Sequence, residues 1–179
     1  PAFWPNFAHM FPPESAPLLY QELTRIAAHT SRPAAERVLA LAALLERVFH
    51  EATRCEQIVF SSLFARISYA GHLFHFQPEI LRRIHRFRLQ ARRVRNGQEA
   101  LEKNVQLGIQ ALAETVLVLT GAAIPADVIA GFDLEETLQQ AQEGEPAAHW
   151  ARIARVVAIK DDPEHNCLIV IDEEQSDRP

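Results

Sequence analysis

Between Pro33 and Gly71 the chain carries neither proline nor glycine, and no other feature restricts its fold so strongly. Apolar residues recur there at helical spacing: Val38, Leu39, Leu41, Leu44, Leu45, Val48 and Phe49. The polar stripe of the same segment is Glu46, Arg47, His50, Glu51 and Arg54. A helix apolar over most of its circumference belongs in the middle of a bundle, where neighbours cover it from several sides. One unbroken helix over the whole stretch would outrun a compact domain. A break is expected at Thr53, because Thr53-x-x-Glu56 reads as a capping box ahead of a second apolar run. That third helix would bury Phe60, Leu63, Phe64, Ile67 and Phe74 and fray near Gly71.

Other elements follow from the same signals. A short helix is expected from Leu18 to about His29, with Leu18, Leu19, Leu23 and Ile26 on one side. Pro33 and Glu36, preceded by Ser31, mark the start of the second helix. Pro78 suits the first turn of a fourth, which Asn96-Gly97 stops. A fifth runs from about Gln98 to Leu119 with Leu101, Val105, Ile109, Leu112 and Val116 in register, and Thr120-Gly121 ends it. Short helices are expected after Pro125 and after Asp133. Beyond Pro146 the texture changes: Ala151–Ile159 and Cys167–Ile171 are rich in Ile and Val around the turn signal Asp161-Asp162-Pro163, which reads as a β-hairpin.

The expected fold is therefore mainly α, a bundle of five or more helices with a C-terminal β-hairpin. It divides into an aromatic and proline-rich arm (1–17), the bundle (18–145) and the hairpin segment (146–179). An isolated hairpin is marginal, so the last segment reads as the start of a β-rich part of a longer protein. With 179 residues, 48% of them hydrophobic, the chain can bury a proper core. Cys55 and Cys167 alone make no disulfide framework, and no uncharged run approaches the roughly 20 apolar residues a bilayer needs. A cytoplasmic protein is expected, with no membrane partner.

The formal net charge of -5 gives no general reason to expect nucleic acid. Charge distribution says more. Seven of the 18 basic residues, Arg82, Arg83, Arg86, Arg88, Arg92, Arg93 and Arg95, crowd the fourth helix, with no acid from Ile80 to Arg95. On a helical wheel Ile80, Ile84, Phe87, Ala91 and Val94 fall within about 80° of each other. Arg82, Arg83, Arg86 and Arg93 line one flank of that stripe; Arg88, Arg92 and Arg95 line the other. The expectation is a packed stripe carrying an exposed guanidinium array, whose planar forks suit phosphate. DNA or RNA is the partner such a face implies, together with neighbouring domains of a larger protein. A solvated face paired with acidic neighbours is the plainer alternative.

Catalytic chemistry finds no comparable signal. There is no glycine-rich phosphate loop, no GxSxG, and no nucleophile–base set in recognisable context. His72 and His75 lie three apart, with His50, Cys55 and His85 as conceivable companions, but zinc-type spacings are absent and no Glu-x-x-His suits a di-iron bundle. Neither metal nor cofactor is expected. Arg66-ISYAG-His72 does satisfy the Arg-x(4–6)-His spacing of HEPN ribonucleases, although Ile67 stands where a polar residue is usual.

From Phe60 to Thr120 the run SSLFARISYAGHLFHF, then LRRIHRFRLQARRVRNG, then a long helix ending LVLTG resembles the helical region that precedes the motor in some large bacterial superfamily I DNA/RNA helicases. Its second part also resembles HEPN-like helical domains attached to helicases and restriction enzymes. Asn96 is followed by Gly97-Gln98-Glu99 without the His of a catalytic HEPN domain. The resemblance covers about a third of the chain and implies a non-catalytic accessory module of a nucleic-acid-dependent ATPase. The alternatives are a metal-independent ribonuclease using Arg66 and His72, and a protein-interaction bundle.

Overall fold

Helix formation across the bundle follows the local signals closely, and the helices differ mainly in how they stop. The computed structural model describes residues 13–56, 58–130, 132, 156–161 and 167–171. A 3-10 turn (Pro13–Ser15) leads into α1 (Ala16–Ala28), followed by α2 (Ala34–Ala52), α3 (Leu63–Leu73), α4 (Pro78–Arg95), α5 (Glu102–Thr120) and the single turn α6 (Ala126–Ile129). Strand β1 (Ile58–Phe60) lies between α2 and α3, and β2 (Val156–Asp161) and β3 (Cys167–Ile171) close the described chain. The first 12 residues of the expected arm and the helix expected after Asp133 lie outside the described residues.

The core forms around α5. Val105, Ala111, Leu112, Ala113 and Val116 are buried along it, and α1, α2 and α4 pack on its sides. As its apolar circumference requires, α2 touches α1, α3, α4 and α5, burying Val38, Leu41, Leu45, Val48 and Phe49. Tyr20 ties α1 to the far end of α5, its hydroxyl donating to the Ala122 carbonyl at 3.0 Å. Burial pushes that phenol up to about 12. Where α4 crosses α5, Gly108 lets the helices approach: a Cβ there would stand 2.5 Å from the Phe87 ring.

Arg37 clamps the opposite end of the bundle. Only 5% exposed, its guanidinium grips Glu102 in the first turn of α5 with two bonds of 2.9 and 3.0 Å. It also donates to the Ala27 carbonyl in the last turn of α1 at 2.8 Å. Three helices thus meet on one side chain that periodicity would place among surface residues.

Two expectations need correction. Thr53 does not open a helix; it closes α2. Its hydroxyl donates to the Phe49 carbonyl at 2.8 Å and accepts from Arg66 Nη1 at 2.6 Å. The cap of α3 is Ser62, whose Oγ accepts from the Ala65 amide at 3.1 Å. The residues between make β1, so Phe60 is a strand residue. Helix α3 does end near Gly71, as expected, but Gly71 itself sits inside it against Leu81 of α4, where a Cβ would come within 2.5 Å. The helix ends two residues later, at Leu73, in a Schellman turn, the Phe76 amide reaching back to the Gly71 carbonyl at 2.9 Å. His75 takes the left-handed position there, at φ +55°. Asn96-Gly97 stops α4 the same way, with Gly97 at φ +95°.

The hairpin is present, β2 pairing antiparallel with β3, but it is not alone. β1 adds to β3 in parallel, with Ile58 opposite Cys167 and Phe60 opposite Ile169, giving the order β1-β3-β2. A strand of three residues between two helices carries too little pattern to be read beforehand. Among the described residues no helix is long and apolar enough to cross a membrane.

Candidate nucleic-acid interface

Helix α4 starts at Pro78, whose missing N–H is no loss in a first turn, and ends with three arginines in its last turn, where positive charge complements the helix dipole. Ile84, Phe87, Ala91 and Val94 are buried, so the apolar stripe is consumed by the core. The seven arginines divide into three groups.

The first corrects the sequence expectation. Arg83 is not on an exposed stripe: it is 6% exposed and forms an ion pair with Glu114 of α5, itself largely covered. Glu114 Oε1 also accepts from the Gln110 amide at 3.3 Å. On the wheel Arg83 lies about 60° from the centre of the apolar stripe, nearer than Arg82, Arg86 or Arg93. Arg95 lies at the same angle on the other side and is exposed, so the wheel alone carries no signal for this burial; the carboxylate of Glu114 decides it.

The second group is half-buried. Arg82 approaches Glu79 one turn back at 3.8 Å, a weak contact. Arg88 lies over the Phe64 ring at 5.1 Å, and the His85 ring meets the same ring at 4.7 Å, tilted by 46°, so two α4 residues hold one aromatic of α3. His85 is buried, 3.4 Å from the Ser68 hydroxyl; burial and the nearby Arg88 pull it down to about 3, and the imidazole is neutral.

Arg86, Arg92, Arg93 and Arg95 form the third group and are exposed. Arg82, Arg86, Arg92 and Arg93 fall within about 120° of arc pointing away from the core. Phe87, the one aromatic of α4, is fully buried, so this surface offers charge and donors without a stacking platform.

Arg66 and His72 are both on α3 but are not brought together. Arg66 is engaged with the Thr53 hydroxyl and lies over the Phe60 ring at 4.7 Å, while His72 is exposed about 120° away around the helix. Desolvation lowers the Arg66 guanidinium below its ordinary value, with Glu46 acting in the opposite direction. Among the described residues no three His, Cys, Asp or Glu side chains converge as metal ligands, and Cys55 is a free, exposed thiol. Arg37 and Glu114 went unread, because the partner that fixes each lies on another helix.

No family model, characterised protein or solved structure matches the chain.

Proposed function

We propose that this bundle is a non-catalytic module that contacts the backbone of DNA or RNA through the outer face of α4, as an accessory part of a nucleic-acid-dependent ATPase of the helicase type. One observation carries the reading. No acid interrupts α4 from Ile80 to Arg95, its apolar stripe is spent in the core, and four of its arginines stay at the surface. Guanidinium forks match phosphate oxygens and remain charged at any physiological pH. With no exposed aromatic on α4 to stack on bases, the contact would be electrostatic and indifferent to sequence. The helicase setting is supported by the resemblance of the Phe60–Thr120 region.

Fluorescence anisotropy with single- and double-stranded oligonucleotides tests this directly. If Arg86, Arg92 and Arg93 each neutralise one phosphate of a duplex, log affinity should fall with log salt at a slope of about -2.7, from roughly 0.9 per contact. Reversing charge in an Arg86→Glu/Arg93→Glu variant should weaken binding and flatten the slope, leaving the melting temperature nearly unchanged. Absence of binding to either oligonucleotide at low salt would end the reading and leave α4 as a docking face for an acidic protein surface.

A further inference from the structure

A second basic site lies away from α4, in the cleft between the facing sides of α1 and α2. It measures about 390 Å³, at the small end of the range for ligand sites. Its rim carries Arg25, His29 and Arg32, and Arg37 is in its wall. At one end Glu22 is occupied by Arg47. Among the described residues Arg25 and Arg32 make no ion pair or hydrogen bond through their side chains, unlike Arg37 and Arg47 beside them. Glu36 is the one lining carboxylate left over.

Two further facts bear on what such a cleft would hold. Arg37 is 5% exposed, and although its terminal nitrogens bind Glu102 and the Ala27 carbonyl, its Nε–H has no hydrogen-bond partner. A buried donor without a partner costs free energy unless something supplies an acceptor. One end of the cleft reaches the loop where α1 ends and α2 begins. The negative end of one helix dipole adjoins the positive end of the other, so the two largely cancel and side-chain charge decides the local potential.

We infer that this cleft binds a small phosphate-bearing molecule, a phosphomonoester or diphosphate, gripped by the forks of Arg25 and Arg32 with His29 beside them. Two unpaired guanidinium groups around a concave wall match a multivalent oxyanion better than a single carboxylate, because each fork takes two oxygens. The size of the cleft excludes a duplex and admits a small molecule.

Inorganic pyrophosphate, titrated by calorimetry at low salt into the full chain, is the probe. Saturable one-to-one binding is expected. An Arg25→Gln/Arg32→Gln variant should lose at least about tenfold in affinity, equivalent to about 1.4 kcal/mol, with an unchanged melting temperature in the absence of ligand. The Arg86→Glu/Arg93→Glu variant should bind pyrophosphate like the parent, which separates this site from α4. A single-stranded oligonucleotide at equal phosphate concentration should not compete. Lack of saturable binding, unchanged affinity in the Arg25/Arg32 variant, loss in the α4 variant instead, or competition by the oligonucleotide would each overturn the assignment.

Discussion

The four helices α1, α2, α4 and α5 and the corner formed by α3 and β1 hold together by different means. In the first, one continuous core includes fully buried Leu23, Leu41, Phe49, Phe87, Val105 and Leu112. In the corner, α3 joins that core through fully buried Ile67 and Ala70, whereas its side toward β1 has only Phe64 and Ala65 as a separate buried cluster, with Ile58, Phe60 and Tyr69 half-covered around it. Directional contacts hold the β1 side. Arg66 bridges Thr53 and the Phe60 ring, the Tyr69 hydroxyl donates to Glu56 at 2.6 Å, and His85 and Arg88 of α4 contact the corner through Phe64. Val59 stays 71% exposed on its strand. Area burial is non-directional and tolerates small movements, whereas these contacts need geometry to be kept. The β1 side of the corner should therefore open at lower free energy than the bundle, as regions with few buried apolar contacts do.

The contrast can be broken most directly in the core. Phe87→Ala should cost about 3–5 kcal/mol in urea denaturation, the range for deleting a buried aromatic, whereas Phe60→Ala in the corner should cost only about 1 kcal/mol. Equal losses would mean that the β1 side of the corner is as firmly packed as the main core.

Arg83→Ala comes next, at about 3 kcal/mol, because it strands the largely covered Glu114. Replacing both, as Arg83→Met/Glu114→Leu, should recover most of that loss. If the single variant were neutral in thermal melts, Arg83 would belong back on the surface with its neighbours.

His85 lies at the seam between the two regions and gives a pH dependence with a definite sign. The unfolded chain takes up its proton near 6.5, the folded chain only near 3, so stability is fully present above pH 6.5 and falls as the medium is acidified through that window. Each unit costs about 1.4 kcal/mol, or about 2 kcal/mol by pH 5. His85→Phe keeps a ring against Phe64 and should remove this part of the slope; urea midpoints between pH 7 and 5 would show whether it does.

Smaller effects sharpen the picture of the corner. Tyr69→Phe removes one hydrogen bond to Glu56 and should cost about 0.5–1.5 kcal/mol. Its signature in hydrogen exchange is faster exchange in α3 and β1 with little change in α5. His75→Gly should gain roughly 0.5 kcal/mol, since glycine takes the left-handed position freely but loses more chain entropy on folding. A melting temperature that drops would show that the His75 side chain makes up for its backbone strain.

Much of the bundle could be read from neighbouring residues alone. Pro78 and Asn96-Gly97 bracket α4, Thr120-Gly121 ends α5, and the breadth of apolar residues in α2 announced its central place. Thr53 shows where local reading fails. The Thr-x-x-Glu pattern fits a helix start, but β1 takes the following residues and Ser62 makes the cap. The candidate site was legible in composition and only partly in geometry: seven arginines were visible on one helix, yet their division into buried, half-buried and exposed was not.

What the sequence determined by itself are features set within about four residues, where a helical hydrogen bond, a cap or a left-handed glycine is satisfied. The tertiary structure alone decided that Arg83 meets a carboxylate 31 positions away, that Arg37 clamps two helices 10 and 65 positions off, and that β1 pairs with β3. An arginine reads the same on a wheel whether its partner is water or a glutamate. Which of them it meets depends on the packing of Phe87 against Gly108, which brings α4 close enough to α5 for the charge to be buried and paired.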